Sequence, residues 1–201
     1  MTTTQHLLMH ATAIKKHGAA ADIAALAGVT PEQAVAGLRA AAESGRLAEV
    51  DGKYMLTPAG QMIVGAEYSR FCGDLREDAA FVQAYERFEI VNRDLKQLIT
   101  RWQTLEIGGK TVANDHSDAE YDDRVISQLG DLHERFEPIL DAMIKALPRL
   151  RVYKDKLEHA LEKAEDGAPE WVSDARTDSY HTVWFELHED LLRVLGRTRD
   201  E

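Results

Sequence analysis

Several residue groups in the chain have types and spacings that suit chemistry or recognition. His6 and His10 stand four apart, the spacing of two metal ligands on one helical face. His133, Glu137 and Asp141 repeat that interval further along, and His181 and His188 flank Trp184. The sequence places no third ligand type beside either of the first two groups. Exposed histidines and a polar stripe are therefore the expected meaning of the first two. The His181–His188 interval is about 10.5 Å along a helix, too long to share one ion, but it suits the lining of a pocket beside Trp184. Gly108-Gly109-Lys110-Thr111 shares only composition with a phosphate-binding loop, lacking its leading glycine and its preceding strand. No Gly-x-Ser-x-Gly, no His-Glu-x-x-His and no acid pair of evident geometry occurs, so an enzyme is not expected and neither a metal nor a cofactor is implied.

The recognition-type residues cluster between Ala20 and Gly60. Ala21–Ala27 reads as a short helix closed by Gly28, and Thr30-Pro31-Glu32-Gln33 opens a second one with an N-cap threonine and a first-turn proline. That helix is expected to run to Ser44, with Val35, Leu38 and Ala42 toward the core. Glu32, Gln33, Ala36, Arg39 and Ala40 are left facing outward. Glutamine suits adenine, arginine suits guanine or phosphate, and alanine suits a thymine methyl. Two short extended runs follow, Arg46–Val50 and Lys53–Thr57, joined by the hairpin signal Asp51-Gly52. Helix, turn, helix and two-stranded wing define a winged helix, with a further helix over residues 3–17 behind it.

Leu47-Ala48-Glu49-Val50-Asp51-Gly52-Lys53-Tyr54-Met55-Leu56-Thr57-Pro58-Ala59-Gly60 resembles the wing and exit of MarR-like winged-helix transcriptional regulators. The Tyr-x-Leu-Thr-x-x-Gly ending carries the resemblance, which covers the N-terminal third of the chain. It implies that the second helix enters the DNA major groove, with Thr30, Gln33 and Arg39 facing bases and Lys53 a phosphate. The wing tip departs from the family pattern, since Glu49 and Asp51 flank a single lysine.

The elements beyond the head read as a second, helical domain. Residues 1–65 form the winged helix, 66–73 a linker helix, and 74–201 an all-helical bundle for dimerisation or ligand sensing. Phe81, Tyr85, Phe88, Asn92, Leu95, Ile99 and Trp102 repeat at spacings of four and three over residues 74–104. Asn92 is the polar member of that seam. It sets the register against another helix or contacts a ligand, and both readings stand. Residues 106–118 lack periodicity and read as a loop. Helices follow over 121–147, bent by Pro138, over 148–167 and over 180–195, with a second loop between the last two. A pocket between the long helix and the last one would be lined by Asn92, Trp102, His181, Trp184 and His188. Tyr180–Asp190 is also similar to the tails of small actinobacterial proteins that accompany phosphoenolpyruvate-utilising enzymes. That likeness implies an accessory role.

Charge and cysteine content narrow the function classes. The net charge is −11, yet residues 1–65 carry five basic and five acidic side chains. A neutral head on an acidic body argues against a nucleic-acid role for the body, because phosphate binding rests on Lys and Arg. Cys72 alone excludes an internal disulfide, no apolar run reaches the ~18 residues of a membrane span, and no secretory leader is evident. The expected protein is a cytoplasmic homodimer that binds DNA under a small-molecule effector. The alternative is an accessory protein whose head contacts a protein partner.

Overall fold

A computed structural model describes residues 3–198 and is mainly α-helical, with two small antiparallel sheets. The chain divides into two compact units. One comprises the residues up to Asp78 together with those from His188 on, and the other spans Ala79–Leu187. The head unit therefore extends past the expected linker and also takes in the end of the last helix.

In the first unit, α1 (Thr4–Lys15) precedes a two-residue strand β1 (Gly18–Ala19), then α2 (Ala20–Ala27) and α3 (Pro31–Glu43). The hairpin strands β2 (Leu47–Val50) and β3 (Lys53–Leu56) come next, followed by α4 (Pro58–Phe71) and the single turn α5 (Gly73–Glu77). The sheet order is β1-β3-β2. The strand β1 is too short to carry a period-2 signal, and it adds an edge the sequence reading lacks. Asp51 and Gly52 both take positive φ, 51° and 74°, the geometry of a two-residue hairpin turn that follows the twist of its strands.

The exit from the hairpin explains the Leu-Thr-x-x-Gly sequence. The Thr57 hydroxyl accepts from Gly60 N at 3.1 Å, capping α4, and donates toward the carbonyls of Gly45 (2.7 Å) and Arg46 (3.1 Å). Thr57 N also donates to Arg46 O. These bonds draw the first turn of α4 onto the backbone that enters β2. A Cβ at Gly60 would stand 2.0 Å from Arg46 O, so only glycine fits there.

In the second unit, α6 (Ala79–Gln103) and α7 (Ala119–Ala146) are the long helices. A 3-10 turn (Pro148–Leu150) leads into α8 (Arg151–Glu165), then the single turn α9 (Glu170–Ser173) and α10 (Tyr180–Leu195), whose last two turns belong to the first unit. Phe81, Phe88, Phe136, Leu129, Leu132, Tyr153 and Tyr180 are fully buried and form its core.

The expectation of an all-helical second domain is corrected here. Thr104–Ile107 (β4) and Lys110–Ala113 (β5) pair as an antiparallel hairpin that begins at the last residue of the stretch read as helix and runs into the segment read as a loop. Gly108 and Gly109 hold φ of 60° and 76°, so the pair is a turn of mirror-image type. The signal was Gly-Gly between runs rich in β-branched residues, four residues each, too short to register as periodic.

Candidate functional site

The recognition-type residues gather around α3 and the β2–β3 hairpin. Thr30 caps α3: Gln33 N donates to Thr30 Oγ1 at 3.3 Å, and Thr30 N donates to Gln33 Oε1 at 3.1 Å. This reciprocal box fixes the helix start. It also engages two of the three side chains that were expected to face bases. Arg39 and Lys53 are exposed, one on the helix and one at the wing.

The buried stripe of α3 is Ala34, Leu38 and Ala41 rather than Val35, Leu38 and Ala42. Val35 is 44% exposed and Ala42 half-buried. In a helix this rich in alanine, apolar positions occur on every side and periodicity does not fix the phase. Close packing on α1 decides it. A Cβ at Gly37 would stand 2.4 Å from Leu8 Cδ1, so α1 meets α3 along its glycine and alanine side.

Sheet register then sorts the wing. Leu47 and Leu56 face each other, as do Glu49 and Tyr54, on the side toward the helices, while Ala48, Val50, Lys53 and Met55 share the outer side. Burial raises the Tyr54 hydroxyl above its ordinary pKa, and its hydrogen bond with Glu49 and that carboxylate's charge add to the rise. The Arg39 charge opposes it. The exposed charges around α3 and the wing are thus Arg39 and Lys53 against Glu32, Glu43, Glu49 and Asp51.

Of the proposed ligand residues, Asn92 and Trp184 come together and Trp102 lies apart from them. Asn92 is buried on α6, and its Oδ1 accepts from Trp184 Nε1 at 3.0 Å while its Nδ2 donates to Glu89. Trp184 itself stacks on Phe88 and packs on Phe136. The asparagine thus answers the indole of another helix. Trp102 sits ten residues further along α6, about 15 Å away, under His116 at 4.5 Å between ring centroids. His181 is half-buried, and His188 is buried within the first unit. A cleft of about 590 Å³ does exist in the second unit, but its walls are His116, Asp122, Asp123, Ser127 and Glu165 with small apolar residues, and none of the five proposed.

Two polar clusters escaped the sequence reading. His6 and His10 are not exposed, being 3% and 2% accessible. His10 Nε2 lies 3.0 Å from Asp190 Oδ1 and its Nδ1 2.7 Å from the Tyr68 hydroxyl. His6 Nδ1 lies 2.9 Å from Glu67. Asp190 is wholly buried, and 180 residues separate it from His10, so no spacing rule could pair them. In the second unit, Glu137 and Asp141 hold Lys154 at 2.7 and 2.9 Å, tying α7 to α8. His133, expected on that polar stripe, is buried instead, with Nδ1 3.1 Å from the Tyr180 hydroxyl. Among the described residues, no three His, Cys, Asp or Glu side chains converge as metal ligands, and no helix is long and apolar enough to cross a membrane.

Burial lowers the pKa of His133 despite the opposing pull of Glu137 and Glu158, and burial alone lowers that of His181. Both bind a proton less readily in the fold than in the unfolded chain. As pH falls through about 6.5, the unfolded chain takes up protons ahead of the folded one, so stability present above about 6.5 is progressively lost below it. Urea titrations at pH 7.5 and 5.5 should show this loss, and the double variant His133→Gln/His181→Gln should show less of it. An unchanged pH dependence in the variant would refute the assignment.

The sequence matches no protein-family model, and no curated protein or solved structure is significantly similar to it.

Proposed function

We propose that the first unit is a winged helix of the MarR-like type, serving as the recognition head of a regulatory accessory protein, and that the face of α3 docks a protein partner. The observation that carries this reading is the character of that face. Val35, Ala36 and Ala40 are exposed on the helix, and the two exposed cations around it, Arg39 and Lys53, are outnumbered by four exposed carboxylates. Such a surface repels a phosphate backbone and suits a partner that buries apolar area. The tail resemblance nominates a phosphoenolpyruvate-utilising enzyme as the first partner class to test. DNA binding is the second reading, favoured by the exposure of Arg39 and Lys53 beside one helix and its wing.

A gel-shift series with genomic fragments separates the two. The protein reading expects no shifted band at moderate salt and no change with Arg39→Ala. A band that weakens steeply with salt, and further with Arg39→Ala or Lys53→Ala, would instead establish the DNA reading.

A further inference from the structure

The cleft in the second unit, about 590 Å³, has the size of a small-molecule site. The start of α7 and the residues before it make one wall, and the end of α8 with the turn after it makes the other.

The first wall carries an imidazole held in one orientation. His116 Nδ1 lies 2.8 Å from Asp122 Oδ2, and Asp122 Oδ1 accepts from Asn114 Nδ2 at 3.1 Å. Asn114 is anchored in turn, its side chain donating to Trp102 O at 3.0 Å and its backbone N–H to Gln103 O. A carboxylate only accepts, so Nδ1 donates to it and Nε2 of the neutral ring is left as an acceptor. Among the described residues no hydrogen bond reaches Nε2.

Two further carboxylates stand at the ends of one face of α7. Asp123, Ile126, Ser127 and Gly130 are separated by three- and four-residue steps and share that face. Glu165 reaches its far end from α8, since a Cβ at Gly130 would stand 3.4 Å from Glu165 Oε1. Asp123 is two turns back at the near end, about 10.5 Å along the axis, with Ile126 and Ser127 between. Among the described residues no lysine or arginine lines the cleft, and Arg124, the neighbour of Asp123, lies over the Tyr121 ring instead.

We propose that the cleft binds a short aliphatic diamine. One ammonium meets Asp123 and His116 Nε2, the other meets Glu165, and the methylenes lie along Ile126. A protonated amine brings only donors, and these three groups offer only acceptors. Two carboxylates at that separation, with an apolar side chain between them, match two charges joined by a hydrocarbon chain.

Isothermal titration calorimetry of the full chain with diaminobutane, up to about 10 mM, tests this. The expected result is saturable one-to-one binding, with butylamine weaker by about tenfold for its missing charge and butanediol inert. Asp123→Asn/Glu165→Gln should weaken diaminobutane by about tenfold or more with helical circular dichroism unchanged, because both side chains are exposed. His116→Phe, which keeps a ring on Trp102 and removes Nε2, should weaken it as well. Asp131→Asn/Glu134→Gln removes the same charge from exposed positions of α7 outside the cleft and should leave binding as it is. No saturable binding of diaminobutane in this range would overturn the inference. Equal weakening by the two double variants would overturn it too, since the general field of an acidic chain would then account for the binding.

Discussion

Replacing His10 by leucine is expected to destabilise the first unit by about 1–3 kcal/mol, the usual result of leaving a buried hydrogen-bonding group without its partner. For a chain of this size that corresponds to a fall in melting temperature of several degrees. The cause is Asp190, whose carboxylate has no solvent access and faces the imidazole at 3.0 Å. Leucine takes that contact away and leaves the Asp190 carboxyl in the same dry place. The Tyr68 hydroxyl also loses its contact with His10. The double variant His10→Leu/Asp190→Leu separates the loss of a polar partner from a packing effect. It should recover much of the loss, because the stranded carboxyl goes with its partner. Hydrogen exchange in α1 reads the first unit directly. If the double variant is no more stable than His10→Leu alone, the stranded carboxyl is not the cause.

Gly60→Ala should cost about 3 kcal/mol, at the upper end of overpacking effects, although alanine is ordinarily the better residue in a helix. The added methyl would stand 2.0 Å from Arg46 O, and that atom belongs to a backbone held by Thr57 through two hydrogen bonds. The strand entry and the start of α4 cannot both keep their places. Gly65 lies in the same helix with nothing within 4 Å of its missing Cβ. Gly65→Ala is therefore expected to stabilise by up to about 1 kcal/mol, as helix propensity alone dictates. Thermal melts of the two variants against wild type check the pair. Equal effects would mean that helix propensity, and not the approach of α4 to the hairpin, governs both positions.

Both predictions bear on the first unit, since Gly60 sets the hairpin against α4 and His10 holds the end of the last helix to α1 and α4.

Local chemistry was enough to place most elements. Thr30 and Pro31 start α3, Asp51-Gly52 turns the hairpin, Thr57 and Pro58 start α4, and the four-three spacing of large residues marks α6; each of these acts within a few residues of itself, which is why it is legible in a linear chain. What the sequence could not supply was phase and long-range pairing. Whether Val35 or Ala34 faces inward depends on how closely Leu8 approaches Gly37, a distance set by another helix. That Asn92 serves the Trp184 indole, that His10 meets Asp190, and that Glu137 and Asp141 converge on Lys154 are products of helix packing, with partners up to 180 residues apart. Polar side chains look alike in sequence whether they face water or each other, and only the tertiary structure removes the water.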